Sequence, residues 1–154
     1  MKIVVLKFGG TSVGTIEKIK KVTDIIIEHK KKKNKVIVVS SAMSGVTNDL
    51  IKKSKQISNN FIDSEYDVLV SSGEQVACSL IAGRLNHKGF KSRSWLGWQI
   101  PIFTNGPYTN SRIQQVNKNK LLRFLKGGGI PIITGFQGVN MNERVTTIGR
   151  GGSD

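Results

Sequence analysis

Valine and isoleucine recur in short unbroken runs along the chain, each followed by glycine or serine and then by a helical pattern. Ile3-Val4-Val5-Leu6, Val36-Ile37-Val38-Val39 and Ile130-Pro131-Ile132-Ile133 show no polar and apolar alternation. They predict strands over residues 2–8, 35–40 and 130–134, parallel neighbours or near neighbours buried on both faces of one sheet. Between the first two, Ile16, Ile19, Val22 and Ile26 fall at helical spacing. That helix closes in lysines 30–33, where cations suit the negative end of the helix dipole.

Further along, residues 47–57 read as a polar helix and 66–70 as the lead-in to another. A helix then starts at Ser72, where Ser72-x-x-Gln75 matches a capping box. Its apolar face is read as Val76, Leu80, Ile81 and Leu85, with Gly89 as its stop. Strands are predicted over 92–96 and around Ile102-Phe103, a turn at Gly106-Pro107, and a short helix over 118–125 ended by three glycines. Strands alternating with helices imply an α/β fold, a three-layer αβα sandwich with a mostly parallel sheet. At 154 residues the chain is one domain's worth.

Composition narrows the function classes. The net charge of +14 invites a nucleic-acid reading. Lysine, isoleucine and asparagine are abundant together, however, and aromatic residues make up only 6%, so nucleic acid is not an expected partner. The single cysteine, Cys78, excludes an intramolecular disulfide and reads as a small core residue. No apolar stretch approaches the roughly 20 residues of a membrane helix. The apolar run Ile3 to Leu6 is shorter than a signal peptide's, and a cytoplasmic protein without a membrane partner is expected. No His, Cys, Asp and Glu pattern suggests zinc. His29 and His87 read as exposed helix ends, and Trp95 and Trp98 as packing residues.

The candidate chemistry lies in three loops rich in glycine or serine, at residues 9–12, 40–45 and 149–153. Ligands of open α/β sheets bind beyond the carboxyl ends of strands. Glycine lets backbone amides approach phosphate oxygens, and helix N-termini add positive potential. Lys7 sets an ammonium beside the first loop. Neither a Walker-type loop nor a dinucleotide fingerprint is present.

These residues also carry a resemblance. Lys7-Phe8-Gly9-Gly10-Thr11-Ser12-Val13 resembles the opening motif of aspartate kinases, within the amino-acid kinase superfamily. The likeness continues through residues 38–48, Ser72-Gly73-Glu74, Gly135-Phe136-Gln137-Gly138 and residues 147–154. It implies a carbamate-kinase-like fold and ATP-dependent phosphorylation of the aspartate side chain, feeding lysine, methionine, threonine and diaminopimelate synthesis. ATP and Mg²⁺ are the implied cofactors, with L-aspartate as acceptor.

By the same resemblance Lys7, Gly9, Gly10 and Ser12 hold phosphate. Arg150 grips the α-carboxylate and Glu74 the ammonium of aspartate. Thr47, Phe136 and Ser153 line that pocket, and Asp154 orients Lys7 or acts near Mg²⁺. Asn105 and Ser111 depart from the family's Asp and Ala. Residues 1–154 correspond to the N-terminal lobe of the kinase domain, without a regulatory ACT domain. The chain alone is therefore expected to be inactive, and to form a homo-oligomer or meet a complementing C-terminal chain. The alternative is a non-catalytic module that binds an anion or amino acid and complements another chain.

Overall fold

The computed structural model describes residues 2–149 and Gly152. In chain order the elements are β1 (Ile3–Phe8), α1 (Ile16–Lys31), β2 (Lys35–Ser40), α2 (Val46–Ile57), α3 (Asp63–Val70), α4 (Ser72–His87) and β3 (Ser92–Trp95). There follow β4 (Ile102–Asn105), β5 (Arg112–Val116), α5 (Asn119–Lys126), β6 (Ile130–Thr134), β7 (Gln137–Val139) and β8 (Val145–Thr147).

One sheet runs in the order β1-β2-β6-β3, with every pairing parallel. The three Val/Ile runs are thus adjacent, as their composition predicts. On one face, Val36, Val38, Ile130 and Ile132 pack under α1 and α4, against Ile19, Val22, Ile26, Ala77, Ile81 and Leu85. On the other, Ile133 meets Leu121, Trp95 and Ile100, with Ile37, Val39 and Phe124 half-buried around them. Helices on both faces make the predicted three-layer α/β arrangement.

Burial on both faces holds for β6 alone of the three runs. β1 is an edge strand, and its Ile3 and Val5 are 50% and 60% exposed. An uninterrupted apolar run reports strand propensity, but it cannot say whether a helix will lie over each face.

The helix starting at Ser72 is correct in extent and wrong in two details. The chain enters α4 directly from α3 through Ser71, which keeps helical angles (φ −75°, ψ −10°). A capping box needs an extended residue ahead of the first turn. Here the Ser72 hydroxyl instead donates to the carbonyl of Leu69 at 2.7 Å. The packed face is Gly73, Glu74, Ala77, Cys78, Ile81, Ala82 and Leu85, whereas Val76 and Leu80 are exposed. Small residues bring α4 close to the sheet, so side-chain size misidentifies the buried stripe. His29 is half-buried rather than exposed, while His87 is exposed.

A second sheet, in the order β5-β4-β7-β8, escapes the sequence reading except at β4. Its outer pairs are antiparallel, β4 and β7 join in parallel, and β5 is exposed along its whole length. Gln137 ties this sheet to the helices: its amide donates to the Ser71 carbonyl at 3.0 Å and accepts from the Gly97 N–H at 3.2 Å. Ser111, one of the two departures from the family pattern, is buried and donates to the Pro107 carbonyl at 2.8 Å. It thereby closes the turn after Gly106.

Candidate active site

The first two loops meet at the carboxyl ends of β1 and β2. Their residues enclose an open cavity of about 410 Å³, lined by Lys7, Gly10, Ala42, Thr47, Glu74 and Phe136 among others. β1 ends in Lys7-Phe8 and delivers the ammonium to one side. α2 delivers its first turn to another, with Gly45 and Thr47 on the wall. Gly45 holds the N-cap position at φ +86°, and no side chain caps that helix. An uncapped helix start carries partial positive charge and attracts anions.

α4 presents Glu74 from beneath. Its Oε1 accepts from the Ala42 N–H at 3.2 Å, which pins the second loop. Its Oε2 is buried with no hydrogen-bond partner among the described residues. Burial raises the carboxyl to about 7, opposed by backbone hydrogen bonds at Glu74 itself and from Ala42. The side chain is 3% exposed, so a buried carboxylate oxygen stands without the cation or donor it needs. Cys78, one turn on, is fully buried; burial first and the Glu74 charge second push its thiol up, which fits a structural cysteine.

Glycine makes this convergence sterically feasible. A Cβ on Gly73 would sit 2.8 Å from the Ala42 Cβ, and one on Gly10 would sit 3.0 Å from the Ala42 carbonyl oxygen. Gly73→Ala is therefore expected to push the second loop off Glu74 and destabilise the chain by about 1–3 kcal/mol. Thermal unfolding checks this, and an unaltered midpoint would show that the loop yields freely.

Phe136 closes the cavity from the segment after β6, at φ +66°. A bulky residue is uncommon in that region and costs energy there. It is held by the Ile148 N–H donating to its carbonyl at 3.1 Å and by Gly135 bonded to Ser40.

Lys7, Gly10, Thr47, Glu74 and Phe136 thus come together from four separate parts of the sequence. Gly9 and Ser12 do not line the cavity. The Ser12 N–H donates to the Gly9 carbonyl at 2.9 Å, so that amide is spent inside its own turn. Arg150, Ser153 and Asp154 lie outside the described residues.

Sequence reasoning missed Asp67. Fully buried on α3, it accepts from the Thr109 N–H at 3.1 and 3.0 Å, the Thr147 N–H at 2.9 Å and the Thr147 hydroxyl at 2.8 Å. It fastens the end of β8, which leads into Gly149, to the helical layer. In the sequence it stands only as one acid within residues 66–70, read as the lead-in to a helix.

The family model for the amino acid kinase family matches residues 2–154. Among curated proteins, an aspartokinase of Geobacillus stearothermophilus is 47% identical over 154 residues, all of this chain and 38% of the relative. One of Rickettsia conorii is 46% identical, again across the whole chain and 39% of its own length. The chain thus spans well under half the length of these relatives. Among solved structures, an aspartate kinase from Synechocystis superposes with a TM-score of 0.81 at 36% identity, covering 99% of this chain and 25% of that one. E. coli aspartokinase III in complex with aspartate and ADP has the same fold, with a TM-score of 0.84 at 23% identity, covering 99% and 44%. No helix among the described residues is long and apolar enough to cross a membrane. Matched along residues 2–154 and built on the fold of these kinases, the chain belongs to the amino acid kinase family.

Proposed function

We propose that the chain holds the acceptor amino acid of an aspartate kinase. It binds L-aspartate with the side-chain carboxylate turned toward the γ-phosphate of ATP, and transfer yields 4-phospho-L-aspartate and ADP. The observation that carries this reading is the buried, unpartnered Oε2 of Glu74 in a cavity shared with Lys7 and the uncapped start of α2. An ammonium is the natural partner of that oxygen. Lys7 and the first turn of α2 suit anionic ends. A ligand with one ammonium and two carboxylates satisfies all three. The aspartate and ADP bound to the E. coli relative fit the same reading.

The chemistry asks for positioning more than for proton transfer. A carboxylate is ionised at neutral pH, so no general base is needed. Its oxygen forms the new bond to the γ-phosphorus while the bond to the β–γ bridging oxygen breaks and ADP departs with the electron pair. Lys7 and the Gly10 amide stabilise the charge gathering on the transferring oxygens. By the family motif, Arg150 grips the α-carboxylate, Ser153 lines the pocket, and Asp154 orients Lys7 or acts near Mg²⁺. Glu74 is the one carboxylate among the described lining residues, and its free oxygen is buried. A hydrated Mg²⁺ does not fit it.

Residues 1–154 form the acceptor-holding lobe in this reading, and transfer belongs to the whole protein. Orienting both reactants accounts for about 7–11 kcal/mol of barrier lowering, so the chain alone is expected to bind aspartate without turnover in an ATP-dependent hydroxamate assay. Calorimetric titration of the 154-residue chain tests the reading directly. L-Aspartate is expected to bind at least about tenfold more tightly than succinate, which keeps both carboxylates and lacks the ammonium. Equal affinities would remove Glu74 from the acceptor site. Arg150→Lys is expected to weaken aspartate binding by about tenfold, because lysine loses the planar fork. An unchanged affinity would give Arg150 another role.

A further inference from the structure

The longest acid-free stretch of the chain separates Glu74 from Glu143; residues 75–142 hold no Asp or Glu and nine Lys or Arg. Four of these cations, Lys91, Arg93, Lys120 and Arg123, line one open cleft between β3 and α5, together with Trp95, Trp98 and Phe124. The cleft measures about 780 Å³, within the range of small-ligand sites. It shares no lining residue with the cavity around Lys7 and Glu74.

Two of the cations are held against aromatic rings. The Arg93 guanidinium lies 4.1 Å from the Trp95 ring centroid, and the Lys91 ammonium lies 5.5 Å from that of Phe124. The two rings pack edge to face at 5.7 Å. None of the four cations has an ion pair among the described residues, whereas Arg84 and Arg144 both have carboxylate partners. Trp95 is 5% exposed and its indole N–H has no acceptor among the described residues. Trp98, expected to pack, is instead 51% exposed on the cleft wall.

We propose that this cleft is a second binding site, for a nucleoside phosphate. The concentrated positive charge without a carboxylate calls for an anion of more than one charge. The outward face of a guanidinium stacked on indole, beside an exposed second indole, calls for a flat ring joined to that anion. A cleft of about 780 Å³, the size of a small-ligand site, favours a free mononucleotide over a strand. The proposal is independent of the aspartate reading, because no group of the first cavity takes part.

The chain's two tryptophans both line the cleft, so their fluorescence reports occupancy. The intact 154-residue chain is titrated with thymidine monophosphate, pyrophosphate and a ten-residue single-stranded oligothymidylate at fixed salt. Thymidine monophosphate is expected to quench saturably and to bind more tightly than pyrophosphate. Arg93→Gln and Arg123→Gln, both exposed positions, are each expected to weaken it roughly tenfold. Lys7→Met and Glu74→Gln, in the other cavity, are expected to leave it unchanged. Three outcomes overturn the proposal: no saturable quenching, pyrophosphate binding as tightly as the nucleotide, or binding by the oligonucleotide alone. Failure of the unsubstituted chain to bind aspartate, with thymidine monophosphate still bound, would count against the acceptor reading and leave this one standing.

Discussion

Asp67→Ala is expected to lower the stability of the chain by about 3–5 kcal/mol. The carboxylate is fully buried and collects four hydrogen bonds from three donors on two distant segments. Alanine leaves the Thr147 amide and hydroxyl in the interior without an acceptor and unties the Thr109 amide from the helical layer. Each unsatisfied buried group costs about 1–3 kcal/mol. Thr109 also sits at φ +66°, a conformation that needs such a tether. Asp67→Asn keeps one carbonyl acceptor and should recover part of the loss. Urea unfolding monitored by circular dichroism measures both variants. An unfolding free energy within about 1 kcal/mol of the parent for the alanine variant would mean that water replaces the carboxylate.

Glu74→Gln is expected to act in two opposite directions. The Glu74 carboxyl stands at about 7 in the fold against 4.5 for its ordinary value. Between those values the folded chain binds the extra proton, so stability is highest below pH 4.5 and falls as the pH rises through 7. The shift corresponds to about 3 kcal/mol lost by pH 8. Glutamine carries no charge, so the variant should be more stable than the parent at pH 8 and nearly level with it at pH 4. Unfolding curves across that range read the slope directly. In the aspartate reading, an arriving ammonium favours the ionised carboxylate, so affinity should rise with pH up to about 7 and then level off. Glu74→Gln should remove that pH dependence and weaken aspartate binding about tenfold or more. A variant that is stabilised at pH 8 yet binds aspartate normally would separate the buried carboxylate from the acceptor site.

A nearby pair marks how uneven the legibility of the site was. Lys7 and Glu74 both announced themselves through motifs, and the structure brings them to one cavity. Ser12 belonged to the same opening motif, but its amide is consumed by the Gly9 carbonyl. A motif records which residues occur together; it does not record which backbone donors a turn has already used. Trp98 went the other way. Its aromatic character suggested packing, and only the position of the segment beside β3 and α5 exposes it to the basic cleft. The exposed Ile3 and Val5 likewise follow from the place of β1 at the sheet edge, which no run of apolar residues encodes.

What the sequence by itself determined was local or short in range. Strand propensity set the three Val/Ile runs, helical spacing set α1, and glycines closed α4 and α5, since each depends on a few neighbouring residues. The acid-free stretch and the opening motif were also open to reading, because both are written in consecutive positions. The tertiary structure decided whatever depends on two distant segments meeting. It selected the small-residue face of α4 over Val76 and Leu80, formed β5, β7 and β8 without apolar runs, and made Asp67 the fastening of β8. It also left one oxygen of Glu74 without a partner among the described residues, in the cavity that Lys7 also lines. The physical reason is that burial and hydrogen-bond satisfaction are properties of an environment, and for these residues that environment is supplied by segments up to 80 positions away.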